Sequence, residues 1–196
     1  MLPQPIKDFI EIVSKLPSIG PRLANRLAFY LVNSGKNEIE NLEKAVLNLK
    51  KLKICERCFF IYVEKCPICS DKNRSKDIIA IVEKETDLIS LEKTKRFNGQ
   101  YLVLGGLAKN GELDPNQRLR LKSLAERIKK ELNGQVKEII IAFSLTTFGD
   151  FTSSLIKQEF KPLAQKISRL AKGVPTGGEI EFADEETLLS ALEGRK

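Results

Sequence analysis

The chain has 196 residues, of which 42% are hydrophobic and 30% are charged, so it can form one large domain or two small ones. It contains no histidine, which excludes Ser-His-Asp and Cys-His catalysis as well as histidine metal ligands. The net charge is +7, and residues 1–54 carry nine Lys and Arg against five Asp and Glu. Such a basic balance makes nucleic acid the first partner to consider, although ordinary solvating charge is the alternative explanation.

The sequence contains no transmembrane or targeting signal. No stretch approaches the roughly 20 apolar residues that cross a bilayer. The first residues, 1–5, lack the basic segment and apolar run of a signal peptide. We therefore expect a cytoplasmic, nucleoid-associated protein with no membrane partner.

The N-terminal quarter is predicted to be helical. Apolar residues recur at helical spacing, and breaks between them define helices over 5–15, 21–33 and 38–52. In the second helix, Leu23, Leu27 and Leu31 are expected to face inward. This part of the chain therefore predicts a small bundle of three helices.

The turn between the first two helices resembles a helix-hairpin-helix motif, which usually has Gly where this chain has Ser18. Gly20 lets a phosphate approach the turn because it has no side chain, and the next helix adds its positive N-terminal end. Arg22 and Arg26 are four residues apart and share one helix face, while Ala24 is small enough for close helix packing. We expect Ser18, Gly20, Arg22 and Arg26 to bind DNA phosphates without sequence specificity. A turn that merely packs, with two exposed arginines, is the alternative.

Four cysteines lie within fifteen residues, in the pattern C-x2-C-x7-C-x2-C: Cys55, Cys58, Cys66 and Cys69. Two such turns can present four thiolates to one Zn²⁺ ion at about 2.3 Å. The loop is too small for a core of its own, so the metal would supply much of its folding free energy. A filled shell leaves no position for water, so the predicted role is structural. Free thiols, a redox pair and an iron–sulfur cluster are the alternatives.

From residue 78 onward the pattern changes to alternating strands and helices. Continuous apolar runs predict buried strands over 78–82, 101–104 and 139–143, and 166–170 is a candidate fourth strand. Helical segments follow over 86–94, 115–132 and 151–160. This order predicts an α/β fold with a mainly parallel sheet. The predicted divisions are a helical region over 1–54, a zinc-finger insert over 55–77, the sheet domain over 78–172, and a tail over 173–196 that packs on the sheet or on a neighbouring subunit.

An acidic residue, Glu83, directly follows the first strand of the sheet, at the edge where parallel sheets bind ligands. In this respect the chain resembles Toprim domains, which carry Glu there and an acidic pair at a later strand end, together able to hold Mg²⁺. Asp150 remains from that pair, Phe148 fills the other position, and Asp87 lies one helical turn beyond Glu83. The resemblance thus gives Glu83, Asp87 and Asp150 as an acidic site or partner surface, and Phe148 argues against Mg²⁺ binding.

Taken together, the order of helical hairpin, four-cysteine insert, Toprim-like domain and tail resembles the RecR family of recombination mediators. The tail segment 169–185 and the segment 104–106 also match the family. RecR proteins usually carry two Glu residues at the positions of Phe148 and Asp150. The resemblance implies action with RecO, and often RecF, to help RecA replace single-strand-binding protein on DNA gaps. It also implies homodimer or homotetramer rings that can encircle DNA, and no chemical reaction of its own.

The predicted function is therefore a DNA-binding recombination mediator rather than an enzyme. The alternative is a metal-dependent Toprim enzyme, such as a nuclease, primase or topoisomerase-like protein. The broken acidic pair argues against it, and so do Tyr30, Tyr62 and Tyr101, which lie in segments predicted as helix, insert or buried strand rather than as an exposed nucleophile. A purely structural zinc protein would leave the hairpin arginines unexplained.

Overall fold

A computed structural model describes residues 2–107 and 112–195 of the chain. The chain divides into two compact units, Met1–Leu52 and Lys53–Lys196. Within the described ranges, no helix is both long and apolar enough to cross a bilayer.

The first unit consists of three helices, which confirms the predicted helical region. They are α1 (Gln4–Val13), α2 (Pro21–Ser34) and α3 (Lys36–Leu49). Gly35 separates α2 from α3 and has a φ of +91°, which only glycine readily tolerates. Helix α3 therefore begins directly after it, at Lys36, two residues earlier than predicted.

Small residues of α2 provide the helix-packing contacts in this unit. Ala24 and Ala28 are buried, four residues apart on one face, as expected of a close contact between helices. The inward orientation predicted for Leu23 is wrong, since its side chain is 41% exposed. One residue along a helix turns by about 100°, so Leu23 points away from the face that Ala24 buries. Among their described residues, α1 and α3 contain no buried side chain.

The second unit is built on a four-stranded parallel sheet, as the strand pattern predicts. Its strands are β3 (Ile78–Val82), β4 (Gln100–Val103), β5 (Val136–Ala142) and β6 (Ala164–Arg169), in the order β4-β3-β5-β6. A two-stranded antiparallel hairpin, β1 (Lys53–Ile54) and β2 (Ile61–Tyr62), precedes the sheet. The helices are α4 (Glu85–Lys93), α5 (Pro115–Glu131), α6 (Thr147–Phe160) and α7 (Glu185–Glu193), with short 3-10 turns at Lys161–Leu163 and Ile180–Phe182.

The sheet has an apolar cluster on each face because successive side chains of a strand point to opposite sides. Ile79 and Ile81 of β3 join one cluster, which also contains side chains of α5 and α6. Ala80 and Val82 join the other cluster, together with Leu88 of α4 and three of the four cysteines. The cysteine insert therefore belongs to the core of the second unit.

Three parallel strands end at one edge of the sheet, at Val82, Val103 and Ala142. Helix α6 begins there at Thr147, four residues before its predicted start. The hydroxyl oxygen of Thr146 accepts a hydrogen bond from the Gly149 N–H at 3.1 Å and so caps the helix. Phe148 and Asp150 consequently lie in the first turn of α6.

Candidate metal centre and nucleic-acid interface

The first cysteine turn, from Cys55 to Cys58, lies between strands β1 and β2. The Cys55 N–H donates to the Phe60 carbonyl at 2.9 Å, and the Phe59 N–H donates to the Cys55 carbonyl at 2.8 Å. The second cysteine turn runs from Cys66 to Cys69, and the Ser70 N–H donates a hydrogen bond to the Cys66 carbonyl at 3.1 Å. Backbone hydrogen bonds therefore hold both turns in place independently of a metal ion.

The four sulfur atoms meet at one point. They lie within 4.8 Å of one another, with 3.4 Å between Cys58 and Cys66 and 3.8 Å between Cys55 and Cys69. A tetrahedron with metal–sulfur bonds of about 2.3 Å has sulfur atoms about 3.8 Å apart, so these residues fit a tetrahedral ion. Among the described residues, only this group brings three or more candidate ligands together.

The thiols influence one another strongly because they are close and largely buried. Hydrogen bonding to Cys69, together with burial, raises the pKa of Cys58 above its usual range. A hydrogen bond with Cys58 is the main reason that the pKa of Cys69 falls to about 6. The cluster thus already favours a thiolate at Cys69, the form that a metal ion requires.

The insert is fastened to the edge of the sheet. The N–H of Val103 in β4 donates to the Cys58 carbonyl at 2.8 Å. Arg120 of α5 donates to the Val103 carbonyl at 2.9 Å, and its guanidinium lies 4.8 Å from the ring centre of Phe59. The first cysteine turn therefore covers β4, which is an edge strand.

Two arginines also join the insert to α5. Arg127 donates from Nη1 to the Arg57 carbonyl at 3.1 Å, and the Arg57 side chain pairs with Glu131 at 2.5 Å. Sequence reasoning missed Arg127 because nothing in its local pattern distinguishes it from other polar residues of an amphipathic helix. Only the tertiary structure brings it to the cysteines.

The hairpin turn contains a residue in a conformation that favours glycine. Ser18, which stands where the motif usually has Gly, has a φ of +63° in the left-handed region. Gly20 caps α2 with an extended backbone, and a β-carbon built on it would meet no atom within 4 Å. The fold therefore requires no glycine at Gly20, whereas open space there would let a ligand approach the backbone.

Arg22 and Arg26 are both exposed on α2, one helical turn apart. In the described part of the chain, neither forms an ion pair with an acidic side chain. Their charges are thus available to an anionic partner.

Glu83 lies at the C-terminal edge of the sheet and is buried. Its carboxylate accepts a hydrogen bond from the Ser144 hydroxyl at 3.2 Å, and Lys84 lies 3.5 Å away. The Ser144 carbonyl would lie 2.2 Å from a β-carbon at Gly149, so only glycine fits where α6 approaches this loop.

The other two predicted acidic residues have separate partners. The Asp87 carboxylate accepts from the Lys84 N–H at 2.9 Å and helps to cap α4. Asp150 pairs with Arg169, at the end of β6, at 2.7 Å. The structure therefore brings Glu83 to Ser144 but does not gather Glu83, Asp87 and Asp150 into one group of metal ligands.

The tyrosines differ in their surroundings. Tyr101 is buried and donates to Glu92 at 2.8 Å, and burial raises its pKa. Tyr30 lies in a helix, as predicted, but it is exposed there, so its position does not argue against an exposed nucleophile.

Comparison with known proteins agrees with this architecture. Family models match three parts of the chain: "RecR, helix-hairpin-helix" over residues 6–50, "Toprim domain" over 77–171 and "RecR, C-terminal" over 173–196.

Similar curated proteins span nearly the whole chain. The protein named "Recombination protein RecR" of Clostridium perfringens is 41% identical over 195 residues, covering 98% of this chain and 96% of its own length. The proteins of the same name from Gloeobacter violaceus and Chloroflexus aggregans are each 38% identical over 198 residues, covering all of this chain and 99% and 95% of their own lengths. With relatives this similar over nearly their full length, and with family models in the same order as the structural units, the chain belongs to the RecR family.

Proposed function

We propose that this protein is a DNA-binding mediator of recombinational DNA repair. The observation that carries the proposal is the pair of arginines beside the hairpin turn, Arg22 and Arg26, which are exposed on α2 and form no ion pair among the described residues. Contacts to phosphates give affinity without sequence readout, which suits a protein that acts wherever DNA is damaged. The relatives from Clostridium perfringens and Gloeobacter violaceus are recombination proteins by name, which supports the same role.

The proposed partners follow from family membership. The protein acts with RecO, and with RecF in cells that use it, on gapped or single-stranded DNA. It helps RecA to replace the single-strand-binding protein that coats such DNA.

The proposed role requires no chemistry at the sheet edge. Glu83 is engaged by Ser144 and Lys84, and Asp150 is neutralised by Arg169, so these groups suit a structural or partner-binding surface better than a metal site. A Toprim enzyme would instead need several carboxylates free to share divalent ions.

We further propose that the four cysteines hold a structural Zn²⁺ ion. Their sulfur spacing and all-thiolate donor set suit zinc, and the short turns have no separate core. Zinc bound there would hold the two cysteine turns together and steady the insert against β4.

We also propose that the protein assembles into a dimer or tetramer ring around DNA. A groove of about 500 Å³ in the first unit is lined almost entirely by apolar side chains of α1, α2 and α3. In the tail, Phe182 is 79% exposed, and Leu189 and Leu192 are also exposed. Burial of these surfaces against further copies of the chain would stabilise each copy.

A reconstituted reaction tests the functional proposal. RecA would be added to gapped DNA coated with single-strand-binding protein, with RecO present and with or without this protein. Faster RecA loading in its presence, together with unchanged DNA in Mg²⁺ or Mn²⁺, is the expected result. Divalent-ion-dependent cleavage, relaxation or synthesis would support the Toprim enzyme instead.

A further inference from the structure

Arg127 of α5 has an unusual environment for an arginine. Its Nη1 group donates to the Arg57 carbonyl at 3.1 Å, within the first cysteine turn. Its Nη2 group is buried and has no hydrogen-bond partner among the described residues. A buried N–H group without a partner destabilises the fold because it has lost its hydration, and more so when the group is charged. The position of this donor therefore calls for an explanation.

The cysteine cluster adjoins Arg127 and can supply negative charge. Arg127 and Cys69 line the same cavity, which has a volume of about 390 Å³. The guanidinium of Arg127 therefore lies on the side of α5 that faces the cysteine insert, close to Cys69.

A solvent anion is a weaker explanation. Lys72, Lys76 and Arg57 also line the cavity, so it carries positive charge. However, Asp71 and Glu131 offset part of that charge. The Nη2 atom exposes less than 1 Å² to solvent, so it offers little surface to a solute in the cavity. A group inside the fold is the better candidate for its partner.

Four thiolates around one divalent ion carry two net negative charges in a largely buried place. Positive or N–H-donating groups around such a centre hold the ligands in position and typically alter metal affinity 10- to 100-fold. We propose that Arg127 is a positioning residue of the metal centre: it fixes the first cysteine turn through the Arg57 carbonyl and supplies a buried counter-charge to the metal-bound thiolates. This inference rests on the proposed zinc centre.

The test compares metal binding by full-length variants. Arg127→Gln removes the charge, and Arg127→Lys keeps the charge on a side chain that lacks the two-pronged guanidinium group. Lys130→Gln is the matched control, since Lys130 lies on the same helix, carries the same charge and has a side chain that is 77% exposed. Zinc affinity is measured by competition with a chelator, and cobalt(II) reports the thiolate-to-metal charge-transfer band.

Arg127→Gln is expected to raise the zinc Kd by about 10- to 100-fold. It should also move the cobalt band to lower energy, because thiolates without a counter-charge give up electrons more easily. Arg127→Lys should raise the Kd several-fold and leave the band in place, and Lys130→Gln should change neither quantity. If Arg127→Gln fails to fold, the Kd of Arg127→Lys decides the question.

An unchanged Kd and band in folded Arg127→Gln, or an unchanged Kd in Arg127→Lys where the Gln variant does not fold, would show that Arg127 serves the fold alone. Failure of the parent protein to bind either zinc or cobalt is a separate result. It would refute the zinc proposal, and the role of Arg127 with it.

Discussion

At the scale of single residues, the hairpin turn has two positions that favour glycine for different reasons. The left-handed backbone lies at Ser18, where a β-carbon costs about 1–2 kcal/mol, whereas Gly20 has an ordinary φ and open space around it. Ser18 thus retains some strain, and Gly20 leaves room for a phosphate. The left-handed backbone also explains physically why the motif usually carries Gly at the first of these positions.

Ser18→Gly should therefore stabilise the first unit, by about 0.5 kcal/mol after allowing for the greater freedom of glycine in the unfolded chain. Urea unfolding followed by circular dichroism measures the change. Ser18→Ala is the control, because it removes the hydroxyl but keeps the β-carbon. Equal stability of the Gly and Ala variants would mean that the backbone at this position is not strained.

Residue-level prediction succeeds where the chemistry is local. The spacing of four cysteines is enough to predict a cluster, and the structure confirms that their sulfur atoms meet. The contribution of Arg127 cannot be predicted in this way, because it depends on how α5 packs against the insert. The local sequence does not reveal the partners of Asp150 and Glu83 either, since Arg169 ends β6 and Ser144 follows β5.

At the scale of elements, long periodic patterns predict the structure well. The apolar runs of β3, β4 and β5 indicate strands because both faces of each are covered. The strands β1 and β2 have only two residues each, too few to show any periodicity. The predicted start of α6 is too late because the first turn of this helix is fixed by a cap at Thr146 rather than by apolar residues.

The cysteine insert packs against the sheet, so removal of its metal should destabilise the whole second unit. Cys66→Ser opens the ligand shell and should abolish the expected one zinc per chain. It should also lower the free energy of unfolding of this unit by at least about 3 kcal/mol, because three cysteines share a cluster with Ala80, Val82 and Val103.

Metal analysis and urea unfolding test this prediction. Parent protein stripped by a chelator should regain its stability when zinc is returned, whereas Cys66→Ser should not. An equally stable variant, or parent protein that contains neither zinc nor iron when purified without chelators, would contradict it.

At the scale of the whole molecule, the single chain leaves much apolar surface uncovered. The three-helix unit has about fifty residues, a size at which a lone core is marginal. Leu42 on α3 lines the apolar groove and is 43% exposed.

Light scattering across a dilution series should give the mass of a dimer or tetramer for the parent protein. Leu42→Glu should shift the protein towards the monomer, because it places a charge in the groove. Asn48→Glu, an equally charged change at an exposed position of the same helix, should leave the mass unchanged. A parent that stays monomeric at every concentration, with or without DNA, would contradict the ring.

The most direct test of the proposed function is the salt dependence of DNA binding. The double variant Arg22→Ala, Arg26→Ala should bind all sequences more weakly by a similar factor. A plot of its log affinity against the log of salt concentration should become less steep, by about 0.7–0.9 for each phosphate that the variant no longer binds. The control, Lys36→Ala with Lys44→Ala, removes the same charge from exposed positions on α3 and should keep nearly the parent slope. A double-arginine variant with the parent's affinity and slope would contradict the account and place DNA on another surface.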